Sequence, residues 1–262
     1  MNDIMTISNC TYSVKGKAIL RCINWRIKSG RFAGIVGPNG AGKTTLLKLL
    51  TGELAADAGV VTLEQRPLNY HSPSELAARR AVVSQFHDTH FPFSGNEVID
   101  MCFDALPIQD FARSEQHKHF AVEQMGVAAL MPRRFDRLSG GEQQRVLCAR
   151  ALTQLATANE QLAGKILFLD EPTSNMDIRH QLLFFKLLKS LCQKGLAVVA
   201  VLHDLDHIYQ YADEVILLSK GNIVAEGHPS QTLNHDNIDH LFGVSSTVVK
   251  LDQGTQRLLI HS

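Results

Sequence analysis

Eight residues constrain this 262-residue chain more than any other stretch: Gly37, Pro38, Asn39, Gly40, Ala41, Gly42, Lys43 and Thr44, spaced G-x-x-x-x-G-K-T. They lie between an apolar run at 32–36, which reads as a short buried strand, and residues 44–50, whose leucines at 46, 47, 49 and 50 suit a buried helix. A strand, a glycine-rich bend and a helix in that order point successive backbone N–H groups at one place, where the helix N-terminus adds partial positive charge. The stretch reads as a phosphate cradle. Lys43 would neutralise β- and γ-phosphates, the Thr44 hydroxyl would ligate Mg2+, and Thr45 would complete the loop. A glycine-rich turn without a ligand is the alternative, outweighed because every fixed position matches in the required strand–loop–helix context.

Two further stretches extend this chemistry. Residues 166–169, Ile-Leu-Phe-Leu, form an apolar strand that delivers Asp170 and Glu171 at its C-terminal end, where open α/β sheets bind ligands. Asp170 suits an anion near a phosphate-bound metal, acting through water, and Glu171 suits a base for an attacking water. The sequence Leu138-Ser139-Gly140-Gly141-Glu142 carries a capping box, with Ser139 as cap and Glu142 reaching back. A plain cap does not require two adjacent glycines, so Ser139, Gly140 and Gly141 read as a second anion site at a helix N-terminus. One chain thus holds two phosphate-binding loops on different subdomains. The economical arrangement is a two-fold pair of chains, each closing the other's nucleotide site.

The remaining pattern supplies an α/β frame. Alternation at Ile23, Trp25 and Ile27 predicts an antiparallel sheet before the cradle. A short hairpin follows at 59–67, then a helix at 74–80, a strand at 81–84 ending at Gln85, and a helix from the Ser94–Glu97 capping box to about 105. A mostly helical insertion runs to about 160. Strands at 166–170, 196–202 and 215–218 then alternate with helices at 180–194 and after His203, which implies a mainly parallel sheet covered on both faces. No element is assigned beyond 218. Lys+Arg and Asp+Glu both number 26, so the basic excess of a generalised nucleic-acid binder is missing. Cysteines 10, 22, 102, 148 and 192 form no C-x-x-C and read as reduced, mostly buried thiols of a cytosolic protein. No leader is expected, and apolar runs such as 196–202 are too short to span a bilayer. His87, His90, His117 and His119 read as solvated, and Arg133, Arg134 and Arg137 as a solvated basic face.

In this order and spacing, the stretches resemble the ATP-binding subunit of an ATP-binding-cassette (ABC) transporter over nearly the whole chain. The resemblance implies an α/β P-loop NTPase (RecA-like) fold: a mainly parallel sheet core with an N-terminal antiparallel β subdomain and an inserted α-helical subdomain. Residues 1–85 and 161–262 would form the core and β subdomain, and 86–160 the helical signature subdomain. Residues 37–44 match the family's Walker A motif, 138–143 its signature, and 166–170 followed by Glu171 its Walker B and catalytic glutamate. Gln85 matches the glutamine that reaches Mg2+ and the attacking water, and His203 the switch histidine on the γ-phosphate. Ser174-Asn175-Met176-Asp177 occupies the D-loop, departing from the commoner Ser-Ala-Leu-Asp. Where the family places an adenine-stacking aromatic, this chain has Val14. Tyr12, two residues earlier and on the same strand face, either substitutes or packs on the sheet.

The implied cofactors are ATP and Mg2+. The implied partners are a second copy of the chain, two integral-membrane permease subunits contacted near 87–93, and, indirectly, a periplasmic substrate-binding protein. The chain would lie peripherally on the cytoplasmic face of a bacterial inner membrane. Within the iron-siderophore, vitamin B12 and heme uptake group, residues 84–94 and the insertion at 153–165 look most like hemin-import ATPases. Ferric siderophore or vitamin B12 remains an alternative cargo. A soluble cassette acting on nucleic acid or ribosomes is the rival of another class; its usual tandem cassettes, coiled-coil insertion or basic surface are not visible. A P-loop GTPase would need an N-K-x-D motif, which does not occur.

Overall fold

The computed structural model describes residues 3–84, 92–106, 111–156, 158–159, 161–250 and 256–261. Strands β1 (Asp3–Val14) and β2 (Lys17–Lys28) form a long antiparallel hairpin, followed by β3 (Phe32–Val36) and α1 (Lys43–Thr51). Then come β4 (Ala58–Leu63), β5 (Arg66–Pro67), α2 (Pro73–Arg79) and β6 (Arg80–Val83). The helical segment comprises α3 (Gly95–Asp100), α4 (Phe111–Gln124) and α5 (Gly140–Gln154). The chain continues through β7 (Ile166–Asp170), α6 (Ile178–Gln193), β8 (Ala197–Val201), α7 (Leu205–Tyr211) and β9 (Glu214–Ser219). It closes with β10 (Asn222–Gly227), α8 (Pro229–Thr232), α9 (His235–Phe242), β11 (Ser245–Lys250) and β12 (Gln256–His261).

The central sheet has the order β10-β9-β3-β8-β7-β6, and all its pairings are parallel except β9 with β10. All residues of β3, β7 and β8 are buried, as strands covered on both faces must be. Successive side chains alternate between two cores. Phe32, Leu167, Leu169, Val198 and Ala200 face the cluster holding Phe184 and Phe185 of α6. Ala33, Ile35, Ile166, Phe168 and Val199 face the cluster holding Leu46 and Leu50 of α1 and Ile7, Ile23, Trp25 and Ile27 of the hairpin. The hairpin belongs to a four-stranded antiparallel sheet, β2-β1-β4-β5, laid over the α1 side.

The expected α/β rhythm holds, with two differences. The helix opened by Ser94 and Glu97 ends at Asp100 and tightens into a 3-10 turn at Phe103–Ala105 instead of running on. His117 is buried on α4, not solvated, because α4 packs its inner face against α5. The basic stretch is solvated as expected: Arg133, Arg134 and Arg137 are exposed, with Arg133 and Arg134 in surface pairs with Glu142 and Asp136. Cys10, Cys102, Cys148 and Cys192 are buried free thiols and Cys22 is exposed. Among the described residues no helix is long and apolar enough to cross a membrane.

Candidate nucleotide site

The cradle follows β3 at the C-terminal edge of the central sheet. Gly42 caps α1 with φ of 105°, and Gly40 has φ of 77°, the left-handed region that glycine enters without strain. Gly37 is required for a different reason: a Cβ there would lie 2.1 Å from the Leu218 carbonyl oxygen. Lys43 is buried, and its Nζ donates to the Gly37 carbonyl at 2.8 Å and the Pro38 carbonyl at 3.1 Å. Burial draws its pKa down, while the nearby Glu171 and Asp170 carboxylates act to hold it up. The lysine is thus a poorly solvated cation clamped on the loop's own carbonyls.

Asp170 closes β7 and is also buried. Burial pushes its carboxyl pKa up and the Glu171 charge adds to the effect; the Thr44 hydroxyl, Lys43 and Lys48 pull the other way. Asp170 Oδ1 is sealed from solvent and has no hydrogen-bond partner among the described residues. A buried carboxylate oxygen left this way is costly unless a cation or donor is added. Glu171 sits at φ of 50°, which a residue with a Cβ adopts only where its surroundings enforce it. The enforcing contact is its own N–H, donated to the Val201 carbonyl at 3.0 Å. Its Oε1 meets Nε2 of His203, two residues past the end of β8. Behind His203, Asp204 caps α7 by accepting from the N–H groups of Asp206 at 2.9 Å and His207 at 3.2 Å.

Ser139 caps α5 in a reciprocal capping box with Glu142. The adjacent glycines have separate reasons. A Cβ on Gly140 would rest 3.5 Å from the Asn175 side chain, an ordinary contact, whereas one on Gly141 would fall 2.3 Å from the Asn175 carbonyl oxygen. The 174–177 turn therefore packs directly on the signature turn, and Gly141 lets it. Ser139, Gly140, Gly141, Glu142, Arg145, Asn175, Met176 and Asp177 line an open cleft of about 360 Å3 that includes no residue of 37–44.

Cradle, Asp170, Glu171 and His203 are brought together; Ser139, Gly140 and Gly141 form a separate cleft. Tyr12 is half-buried on β1 against the hairpin-side core, opposite Leu20, and Val14 is exposed. Gln85, with residues 86–91, lies outside the described residues. The sequence reading missed Arg145 and His180, which adjoin the cleft. Their one local signal was the Asp177-x-x-His180 spacing of a capped first turn.

A glycine-rich loop opening a helix beside a parallel strand that ends in Asp-Glu defines the P-loop nucleotide-binding class. A family model described as ABC transporter matches residues 20–174, and the chain belongs to that family. A relative from Rhodopseudomonas palustris (strain BisA53), named hemin import ATP-binding protein, is 37% identical over 99% of this chain and 95% of its own. A protein of the same name from Hahella chejuensis (strain KCTC 2396) is 43% identical over 89% of this chain and 90% of its own. A metal-chelate type ABC transporter solved in an inward-facing conformation superposes with a TM-score of 0.79 at 24% identity, covering 99% of this chain and 97% of that one. At that identity the superposition speaks to the fold alone.

Proposed function

We propose that this chain is the ATP-binding and ATP-hydrolysing subunit of an ABC importer whose cargo is hemin. The observation that carries the ATPase reading is the convergence of the 37–44 cradle, the unsatisfied Asp170 Oδ1 and the Glu171–His203 pair at one edge of the sheet. The cargo assignment is supported by the relatives' names.

Each residue has a role that its surroundings favour. Lys43 exchanges the Gly37 and Pro38 carbonyls for β- and γ-phosphate oxygens, a stronger charge-assisted pairing. Residues 37–45, apart from Pro38, supply backbone donors, and the helix N-terminus favours the added negative charge. Thr44 and Asp170 fit Mg2+: the orphaned Oδ1 is an anionic oxygen awaiting a cation, with the Thr44 hydroxyl beside it. Mg2+ held there would supply positive charge to offset the charge that develops on the phosphates. Among the described residues no group of three or more His, Cys, Asp and Glu is placed to hold a metal. Glu171 accepts the proton of the attacking water, and His203 orients that carboxylate through Nε2 while facing the γ-phosphate. Gln85, by its family resemblance, would help hold Mg2+ and the attacking water.

The Ser139–Gly141 cleft lies apart from the cradle, which supports a homodimer in which each copy's Ser139, Gly140 and Gly141 complete the other's site. ATP drives closure by binding the closed pair more tightly than the open one. The dimer docks peripherally on two membrane-spanning permease subunits at the cytoplasmic face of the inner membrane. A periplasmic substrate-binding protein acts on the same complex from the other side. Reconstitution with the permease pair in vesicles tests the cargo: hemin presented by the binding protein should stimulate ATPase activity, and stimulation by cobalamin or a ferric siderophore instead would reassign it. Tyr12 is proposed to stack on adenine from the edge of the hairpin. Tyr12→Ala should raise the ATP dissociation constant by about three- to tenfold, the worth of one aromatic contact; an unchanged constant leaves Tyr12 as a sheet-packing residue.

A further inference from the structure

A three-residue chain beside the Ser139 cleft is used by none of these steps. Arg145 on α5 and Asp177, the cap of α6, both line the cleft, and His180 joins them. His180 Nδ1 lies 2.6 Å from Asp177 Oδ2, and Nε2 lies 3.1 Å from Arg145 Nη1. A guanidinium has donors and no acceptor, so its contact makes Nε2 the acceptor. The ring proton then sits on Nδ1 and is donated to Asp177, so the two neighbours specify one neutral tautomer. The His180 backbone N–H and ring together hold the Asp177 carboxyl below the usual carboxylate range. Arg145 Nη1 also donates to the Gly126 carbonyl at 3.1 Å, just past the end of α4. One guanidinium thereby ties three helical elements, while Gly141 seats the Asn175 carbonyl against the signature turn.

We propose that His180, fixed as the Nδ1–H tautomer between Asp177 and Arg145, is a positioning residue that locks the 174–177 turn to Ser139–Gly141 as one rigid half-site facing the partner copy's nucleotide. The proposal rests on the dimeric ATPase reading above. None of the hydrogen bonds of His180 involves residues 37–44. Loosening this clasp therefore slows turnover and leaves nucleotide binding at the protomer's own cradle intact.

The test pairs a spectroscopic readout with kinetics. In the protein labelled with 15N in its imidazoles, the signals lost in His180→Ala should show a protonated Nδ1 and a bare Nε2; an Nε2–H ring or a tautomer mixture overturns the clasp. His180→Ala should lower kcat by about ten- to a hundredfold with the nucleotide dissociation constant within about twofold of the parent, as expected for lost positioning. His180→Gln, which keeps an acceptor for Arg145, should recover part of the loss, and His180→Lys, which sets a donor against the guanidinium, should fall below Ala. Parental turnover in His180→Ala, or nucleotide affinity falling in step with turnover, overturns the positioning role. A parent chain without ATPase activity defeats the functional reading instead, and the tautomer measurement still decides the clasp.

Discussion

Glu171→Gln is expected to lower ATP turnover by about 10²–10⁴-fold, the range that a general base contributes, while nucleotide affinity stays at the parental level. The substitution preserves shape and an oxygen that can meet His203 Nε2, and it removes the group able to take a proton from water. The backbone should hold. Glu171 remains at positive φ because its N–H is pinned to the Val201 carbonyl, and a strained conformation of this kind, worth about 1–3 kcal/mol, survives only when the surrounding structure over-determines it. With binding intact and hydrolysis blocked, the closed pair should accumulate. Size-exclusion chromatography with Mg·ATP should show a dimer for Glu171→Gln and predominantly monomer for the parent. Ordinary hydrolysis by the variant would move the base to another residue.

The parts of the site that were legible in the sequence are those whose physics is local. The cradle, the strand ending in Asp170-Glu171 and the Ser139–Glu142 capping box each depend on neighbours within a few residues, and β3 and β7 have the bounds that their apolar runs predict. The C-terminal third shows the opposite case. β11 and β12 are short and half-exposed, with only Leu258 buried among them, so their hydrophobic alternation is weak. Their order comes from tertiary contacts: the Leu258 N–H donates to Asp206 at 3.0 Å, and Tyr209 Oη donates to Gln256 at 3.1 Å. The Arg145–His180 contact joins residues 35 apart on different helices, which no periodicity reports. His117 looked solvated because α4 is polar in composition, and only the packing of α5 shows which face is covered. The paired glycines carry a packing requirement that the sequence reading did not see: Gly141 makes room for the Asn175 backbone.

Asp170→Asn should move stability and activity in opposite directions. Asp170 is buried, its Oδ1 has no hydrogen-bond partner among the described residues, and burial raises its carboxyl pKa above the ordinary 3.8. An acid whose folded-state pKa is raised contributes its full stability below the unfolded pKa, where both states are protonated. That contribution is lost as pH rises from 3.8 through the higher folded value, because the unfolded chain ionises more readily. The parent carries a penalty that grows as pH rises above 3.8, and Asn, which never ionises, carries no such penalty. Thermal melts without nucleotide should therefore place Asp170→Asn above the parent by about 2–4 °C at pH 7 for each kcal/mol relieved. The gap should close as the pH is lowered toward 4, about the ordinary carboxylate value. The same substitution withdraws the anionic oxygen proposed to sit near Mg2+, so ATP turnover should fall by about a hundredfold or more, as when a preorganised charge is removed from a reacting phosphate site. A site whose unsatisfied charge is relieved only by its ligand gives up stability for function. A variant that melts at or below the parent at pH 7, or that hydrolyses Mg·ATP normally, would mean that Asp170 is already satisfied within the fold and that the cation is held elsewhere.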